Sequence, residues 1–341
     1  MQKTILVLSQ EDDPNTVEVL KWLTFWKKAF TKINDEDELS LEMLSQSDNF
    51  IDFNVKIKGR LEHISLTDLQ SFWFRRGRLH LPMPDSRNLI ISPSLIESID
   101  LINRNIFREN NTIIDMIAYL LNNKIPSLGN YQQYFNNKLI HHDMAKLAGL
   151  KVPTSYIVSN KKSAIDVLKK HSGSLLIKSI GDSPIIKFAE SEDLYSCILY
   201  VTEITESDIQ SLPETFFPTL FQVKIEKRFE IRSFFLKGKF FSMAILSQSD
   251  YQTKIDFRNY NNEKPNRWVP FTLPVEISVK LSLLMKMIGL DTGSIDIIYT
   301  NTKEYYFLEV NPVGQFGMVS GPCNYQLEKK IAHFLCSNED E

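Results

Sequence analysis

Hydrophobic positions open the chain as a short run, Thr4 to Leu8, which reads as a buried strand. A helix follows, with an apolar stripe at Val19, Leu23, Trp26 and Phe30. A strand leading straight into an amphipathic helix is the usual start of an α/β domain. Ser71 to Phe74 predicts a second strand that ends in Arg75-Arg76-Gly77-Arg78. The stretch from His80 to Asn88, with Pro82 and Pro84, reads as a loop, and Thr112 to Asn122 as a helix. Pro126 and Gly129 punctuate the chain, so a first domain is expected over 1–128.

Beyond that boundary the pattern changes period several times. A helix is expected from about Phe135 to Leu147, stopped by Gly149 and Pro153. Strand Ser155–Val158, helix Lys161–Lys170 and strand Leu175–Ile180 form a small α/β unit. After a polar stretch come strands Thr219–Ile225, Phe229–Leu236 and Lys239–Ser247, the last two joined at Lys237-Gly238 by a two-residue turn. Pro274 opens an apolar helix that Gly289 closes. Strands Ser294–Thr300 and Tyr305–Val310 make a second hairpin, and Tyr325–Leu335 a closing helix. The organisation expected is 1–128, 129–221 and 222–341, of α/β (α+β) class.

Composition narrows the picture. The 341 residues suggest more than one structural unit. Glycine is scarce, 12 residues, about half the usual share. That excludes glycine-rich fibrous and linker-like classes. Net charge is −3, so no global positive field attracts nucleic acid. No apolar run reaches the ~18 residues of a membrane span. The apolar N-terminal stretch is too short for a signal peptide and runs into Glu11-Asp12-Asp13. Cys197, Cys323 and Cys336 show no metal-ligand spacing, which suits a reduced cytoplasmic protein. The first strand-to-helix turn carries no glycine and two aspartates, so a dinucleotide-binding Rossmann reading fails there. P-loop, protein-kinase and nucleophile-elbow motifs are absent from the sequence.

The candidate chemistry concentrates in the last hairpin. Asp296 sits inside the apolar run Ser294–Ile298, and Glu309 and Asn311 are two apart in a strand, so they share a face. A four-residue loop at Asn301–Glu304 places Asp296 opposite Glu309. Two carboxylates and an amide oxygen are hard donors that suit Mg²⁺. The alternative is that each acid pairs with a base; three oxygen ligands at this spacing favour the metal. Arg228, Glu230 and Arg232 alternate with apolar residues. They form either an exposed ion-paired face or, through Arg232, a phosphate contact. Lys178, inside an apolar strand, is either a phosphate ligand or a partly exposed edge lysine. Lys138 alone reads as a surface residue. His141-His142-Asp143 reads as a surface face, because adjacent helical residues diverge. Arg75, Arg76 and Arg78 read as a site for an acidic partner or as a solvated strand end.

Taken together, these stretches resemble the ATP-grasp superfamily of carboxylate–amine ligases, and within it the graspetide (microviridin-type) synthetases, or ATP-grasp peptide maturases. The resemblance is carried by Asn137-Lys138-Leu139, Ile177-Lys178-Ser179, the run Phe221 to Arg232, Ser247-Gln248, Asp256-Phe257-Arg258, Ser294-Ile295-Asp296 and the run Phe307 to Phe316. It covers roughly 130–335 well and the N-terminal domain in outline. It implies an ATP-grasp fold preceded by a Rossmann-like pre-ATP-grasp domain. It implies ATP and Mg²⁺ as cofactors, with Asp296, Glu309 and Asn311 on the metal. Lys138 and Lys178 would contact the phosphates, and Phe221, Gln222, Val223 and Lys224 would read adenine through their backbone. Glu226 would take the ribose, and Arg232 and Arg258 the γ-phosphate and acyl phosphate. Where many relatives carry Gln-Glu at the hinge, this chain has Gln222-Val223, and its phosphate-covering loop Gly181-Asp182-Ser183 holds one glycine. The implied activity is ATP-dependent closure of ω-ester or ω-amide rings on a ribosomal precursor peptide. The partner is that peptide, with neither nucleic acid nor membrane, and a homodimer is left open. An ATP-grasp ligase of amino acids or dipeptides, and a non-catalytic ATP- or peptide-binding module, are the alternatives.

Overall fold

The structure, a computed structural model, describes residues 3–45, 50–57, 60–83, 96–133, 137–181, 186–190, 193–197, 200–259 and 261–337. The chain divides into two compact units, one formed by 1–134 with 326–341 and the other by 135–325.

The first unit begins with β1 (Thr4–Leu8) and α1 (Pro14–Phe25). Asp13 caps α1, its carboxylate accepting from the Thr16 N–H, and Pro14 takes the first helical position, where its missing donor costs nothing. The helix ends at Phe25, one turn before the end of the expected stripe, and Phe30 instead opens β2 (Phe30–Ile33). Then come β3 (Glu38–Ser45), β4 (Phe50–Ile57) and β5 (Arg60–Ser65), an antiparallel sheet that the sequence reading passed over. Its signal was there as alternation: Ile51, Phe53 and Val55 are buried while Asp52 and Asn54 between them are partly exposed. β6 (Leu69–Phe74) leads through the 29-residue α2 (Ile96–Lys124), much longer than expected, to the two-residue β7 (Ser127–Leu128). Strands β2, β1, β6 and β7 lie side by side in that order, all parallel. Pro84 and the rest of the expected loop to Asn88 lie outside the described residues.

The second unit starts with α3 (Lys138–Leu147), β8 (Ser155–Asn160), α4 (Lys161–Lys170) and β9 (Leu175–Lys178). A small hairpin, β10 (Ile186–Glu190) and β11 (Asp193–Cys197), is followed by β12 (Thr202–Ile204), α5 (Glu206–Ser211) and β13 (Thr215–Val223). One antiparallel sheet runs β12-β9-β13-β8 over a core that includes Leu168, Leu175, Ile204 and Phe221. The chain then builds β14 (Lys227–Leu236), β15 (Lys239–Leu246), β16 (Arg267–Phe271), α6 (Val275–Ile288), β17 (Thr292–Thr300), β18 (Tyr305–Asn311) and α7 (Gly317–Cys323). The second antiparallel sheet runs β16-β15-β14-β17-β18. α3 and α6 cover it, burying Ala145, Leu281, Leu284 and Met285 against Ile231, Phe235, Ile295 and Phe307. α6 has the ends expected of it, Pro274 before it and Gly289 at φ +79° after it. β16 and α7 were not foreseen; α7 holds two glycines and a proline, which conceal a helix from propensity.

The chain closes on α8 (Leu327–Ser337), which belongs to the first unit and packs on α1 and β6. The expected boundary at 128 lies near the division at 134. The expected boundary between 221 and 222 falls inside β13, whose Gln222 and Val223 still pair with β9, and 326–341 returns to the first unit. Among the described residues no helix is long and apolar enough to cross a membrane.

Candidate active site

β17 and β18 are joined by the four-residue connection 301–304; the ladder starts one residue off the expected register, with Tyr299 opposite Tyr305, and Asp296 still comes to lie opposite Glu309. Asn311 lies opposite Ser294 two residues further on, on the face that Glu309 presents. A bulge between Asp296 and Ile297 shifts the ladder at that point. The turn after β18 closes tightly: a Cβ on Gly314 would stand 2.4 Å from the Ser294 Cβ. Gly314→Ala is therefore expected to destabilise the chain by about 1–3 kcal/mol, the usual cost of overpacking, read as a lowered denaturation midpoint.

Each acid has a base beside it. β14 pairs with β17 so that Arg232 faces Asp296, and the Arg232 Nη1 donates to the Asp296 Oδ2 at 2.6 Å. Lys138, at the first turn of α3, places its Nζ 3.1 Å from the Glu309 Oε2. The two carboxylates nevertheless differ. Burial pushes the Asp296 carboxyl up, against the pull of Arg232 and with Glu309 adding to the push. Burial acts on Glu309 too, but Lys138, Lys178 and Arg258 outweigh it and hold that carboxyl below its ordinary range. The Asp296 Oδ1 is solvent-inaccessible and accepts no hydrogen bond among the described residues. A buried carboxylate oxygen without a donor is costly, and a cation satisfies it. With Glu309 and the Asn311 amide it makes a hard-oxygen set that fits Mg²⁺.

Asp296 and Glu309 line a cleft between the two sheets of the second unit. Lys138, Lys178, Gln222, Val223, Lys224, Glu226, Arg258, Asp296 and Glu309 all line it. Lys178 is in its wall, not on a solvated edge: burial draws its ammonium down to about 8, with Glu309 working the other way. Lys138 is likewise in the cleft, with its Nζ also donating to the Gly181 carbonyl at 3.2 Å. Asp182 and Ser183 of the expected phosphate loop lie outside the described residues. Arg258 is held in a fork on Asp256, Nε to Oδ1 at 2.9 Å and Nη2 to Oδ2 at 2.7 Å, and those bonds keep the guanidinium more firmly protonated.

Three expected residues do not line the cleft. Phe221 is fully buried in the core of the smaller sheet, so its ring contributes packing. Arg232 sits behind Asp296 as its ion-pair partner, and the Asn311 Oδ1 accepts from the Val313 N–H at 3.1 Å. At the hinge the N–H groups of Val223 and Lys224 already donate to the carbonyls of Thr154 (2.8 Å) and Ser174 (3.1 Å). The next two N–H groups, of Ile225 and Glu226, have no partner among the described residues, and both residues line the cleft. The Gln222 amide donates to the Ser155 hydroxyl, and Lys224 pairs with Glu203 and, at 3.6 Å, with Glu226.

Some cleft residues escaped the sequence reading. Glu230 lines the cleft, and Glu230 and Arg232 are both buried while Arg228 is exposed, so the charged alternation is not a solvent face. Lys227 Nζ lies 2.6 Å from Glu230, and Ser247 donates to the same carboxylate at 2.5 Å. Asp256 was quoted only as part of a motif. His141 and His142 are 5% and 8% exposed, which corrects the reading of that pair as a surface face. Adjacent helical residues do diverge, but α3 is sandwiched closely enough to bury both directions.

No protein-family model and no curated protein matches this chain. Its fold does match solved structures. One is a RiPP-associated ATP-grasp ligase from Chryseobacterium gregarium in complex with ADP and a leader and core peptide: 21% identity, TM-score 0.77, covering 99% of this chain and 98% of that one. Another is the macrocyclase MdnC of Microcystis aeruginosa MRC bound with precursor peptide MdnA: 22% identity, TM-score 0.71, covering 98% and 100%. A third is the ATP-grasp ligase PsnB complexed with minimal precursor, Mg and ADP: 15% identity, TM-score 0.65, covering 98% and 96%. The chain has the ATP-grasp fold.

Proposed function

We propose that this chain is an ATP-dependent peptide ligase that closes ω-ester or ω-amide rings on a ribosomal precursor peptide. The observation that carries the reading is the in-register Asp296–Glu309 pair, with its unsatisfied buried oxygen, in a cleft that Lys138, Lys178 and Arg258 also line. The likeness in fold to ligases whose structures hold ADP, Mg and precursor peptides supports it. Asp296, Glu309 and Asn311 would hold Mg²⁺, which when bound neutralises phosphate charge so that a carboxylate can approach. Lys138 and Lys178 face the phosphates. The backbone from Phe221 onward borders the adenine, with the Ile225 and Glu226 N–H groups as its available donors, and Glu226 takes the ribose. Arg258 faces the phosphoryl group in transfer, while Arg232 acts at the Asp296 carboxylate. A side-chain carboxylate of the peptide becomes an acyl phosphate, and a Ser, Thr or Lys side chain of the same peptide displaces phosphate. Positioning beside an activated acyl group supplies much of the rate. This would take place in the cytoplasm, with the homodimer as the assembly to be tested.

Mass spectrometry tests the reading. With ATP, Mg²⁺ and an Asp/Glu- and Ser/Thr/Lys-rich peptide encoded beside this chain, the peptide mass should fall by one water per ring. A rise in mass would mean ligation of an added residue instead. ADP release with none of the peptides tried, and no mass change, would sink both enzyme readings.

The amine of Lys178 gives a second check. Its pull on phosphate needs the proton that burial has loosened to about 8. Affinity for Mg·ADP should therefore fall as pH rises above about 8, by up to about tenfold per unit. Lys178→Met should flatten that profile; calorimetric titration across pH reads both.

A further inference from the structure

We propose that His142 is a positioning residue that fixes α3 on β18 and so delivers Lys138 to the cleft. The proposal rests on the nucleotide reading of that cleft. Lys138 and His142 are four apart on α3, so they lie on one helix face. That face meets two consecutive residues of β18. The His142 Nε2 lies 2.6 Å from the Leu308 carbonyl oxygen, and the Lys138 Nζ lies 3.1 Å from the Glu309 carboxylate.

β18 is the last strand of its sheet; its outer edge meets Lys151, whose carbonyl accepts from the Phe307 N–H at 2.8 Å, and the Leu308 carbonyl accepts from His142 instead. A carbonyl only accepts, so the proton of this contact sits on Nε2. The ring is also fixed from the side, edge-on to Phe307 at 6.0 Å and 71°. At 8% exposure it has little water to fall back on. A hydrogen bond to backbone adds a directional restraint on the axial position of α3 along β18, beside the apolar packing of the helix. Lys138, one turn nearer the helix start, is the side chain whose reach depends on that position. Nothing else in the reaction proposed for the cleft requires a histidine here.

The test is a double-mutant cycle in the full chain, with Mg·ADP binding measured by calorimetry. His142→Leu should weaken binding about tenfold, the size of one lost hydrogen bond. His142→Gln, which keeps an N–H at the same reach, should restore most of it. In a Lys138→Met background His142→Leu should cost little more, since His142 acts through Lys138. A purely structural histidine would instead give additive losses, and a matching fall in the thermal midpoint of both His142 variants. Additive losses, an unrescued glutamine, or wild-type affinity in His142→Leu overturns the proposal. A wild type that binds Mg·ADP but modifies no peptide sinks the macrocyclisation reading and leaves this test intact. A wild type that binds no nucleotide overturns both.

Discussion

Replacing Glu309 by glutamine is expected to stop ADP release, lowering turnover at least about a thousandfold. The substitution keeps the volume and the register opposite Asp296 and removes one negative charge. A divalent cation stabilises transferring phosphate charge by several kcal/mol, and each ~1.4 kcal/mol is a factor of ten in rate. The same charge balances Lys138 and Lys178, two ammonium groups that would otherwise repel across the cleft. Glu309→Gln therefore replaces a charged cation ligand by a neutral, weaker one and leaves the lysines uncompensated. Folding should survive, because the apolar partners of β18, Phe307 and Val310, are untouched. Glu309→Ala should behave alike. The measurement is steady-state ADP production beside a thermal melt. Undiminished turnover in a folded Glu309→Gln protein would refute the metal assignment.

How far this site could be read in advance depended on what kind of pattern each residue obeys. Asp296, Glu309 and Asn311 were legible because strand alternation and a short loop narrow the register to within a residue, although the bulge that brings Asp296 opposite Glu309 was not legible. Lys178 stood out for a similar reason, a charge in an apolar strand. Lys138 did not, because an exposed helix start and a cleft-facing one have the same sequence; only the docking of α3 on β18 separates them. His142 failed on the same ground. The hinge needed both sheets: whether the Val223 and Lys224 N–H groups are free depends on Thr154 and Ser174, each about 50 or more residues away along the chain. In the first unit the β3–β5 sheet was hidden by strands of mixed polarity, whereas β1 and β6, buried on both faces of a parallel sheet, announced themselves as apolar runs. Glycine shows the same division. Five of the twelve, Gly289, Gly293, Gly314, Gly317 and Gly321, cluster around β17 and β18, and the contact that demands one of them, Gly314 against Ser294, is tertiary.

The second large effect belongs to the first unit. Arg75→Met is expected to destabilise it by about 3–5 kcal/mol, the cost of leaving a buried charge without its partner. Arg75 directly follows β6 and Asp13 precedes α1, so the pair ties the carboxyl ends of two parallel strands together. The Arg75 Nε lies 3.1 Å from the Asp13 Oδ2, with side chains 4% and 0% exposed. Burial draws the guanidinium down to about 10, which still leaves it charged at neutral pH. Burial also pushes the Asp13 carboxyl up, but Arg75, the Thr16 hydroxyl and Arg76 outweigh it and hold the group below its ordinary value. The sign of the pH dependence follows. A carboxyl depressed in the folded state contributes stability that is complete above its unfolded pKa and is lost as pH falls through the folded one. Wild type should therefore lose stability on acidification, and Arg75→Met should lose much less, having little left to lose. Removing both charges, Asp13→Asn with Arg75→Met, should recover part of the cost while keeping a side-chain cap for α1. Trp22, Trp26 and Trp73 lie in this unit, so tryptophan fluorescence during urea unfolding mainly reports it. An Arg75→Met protein with the wild-type midpoint at neutral pH would show that the pair does not hold the unit together.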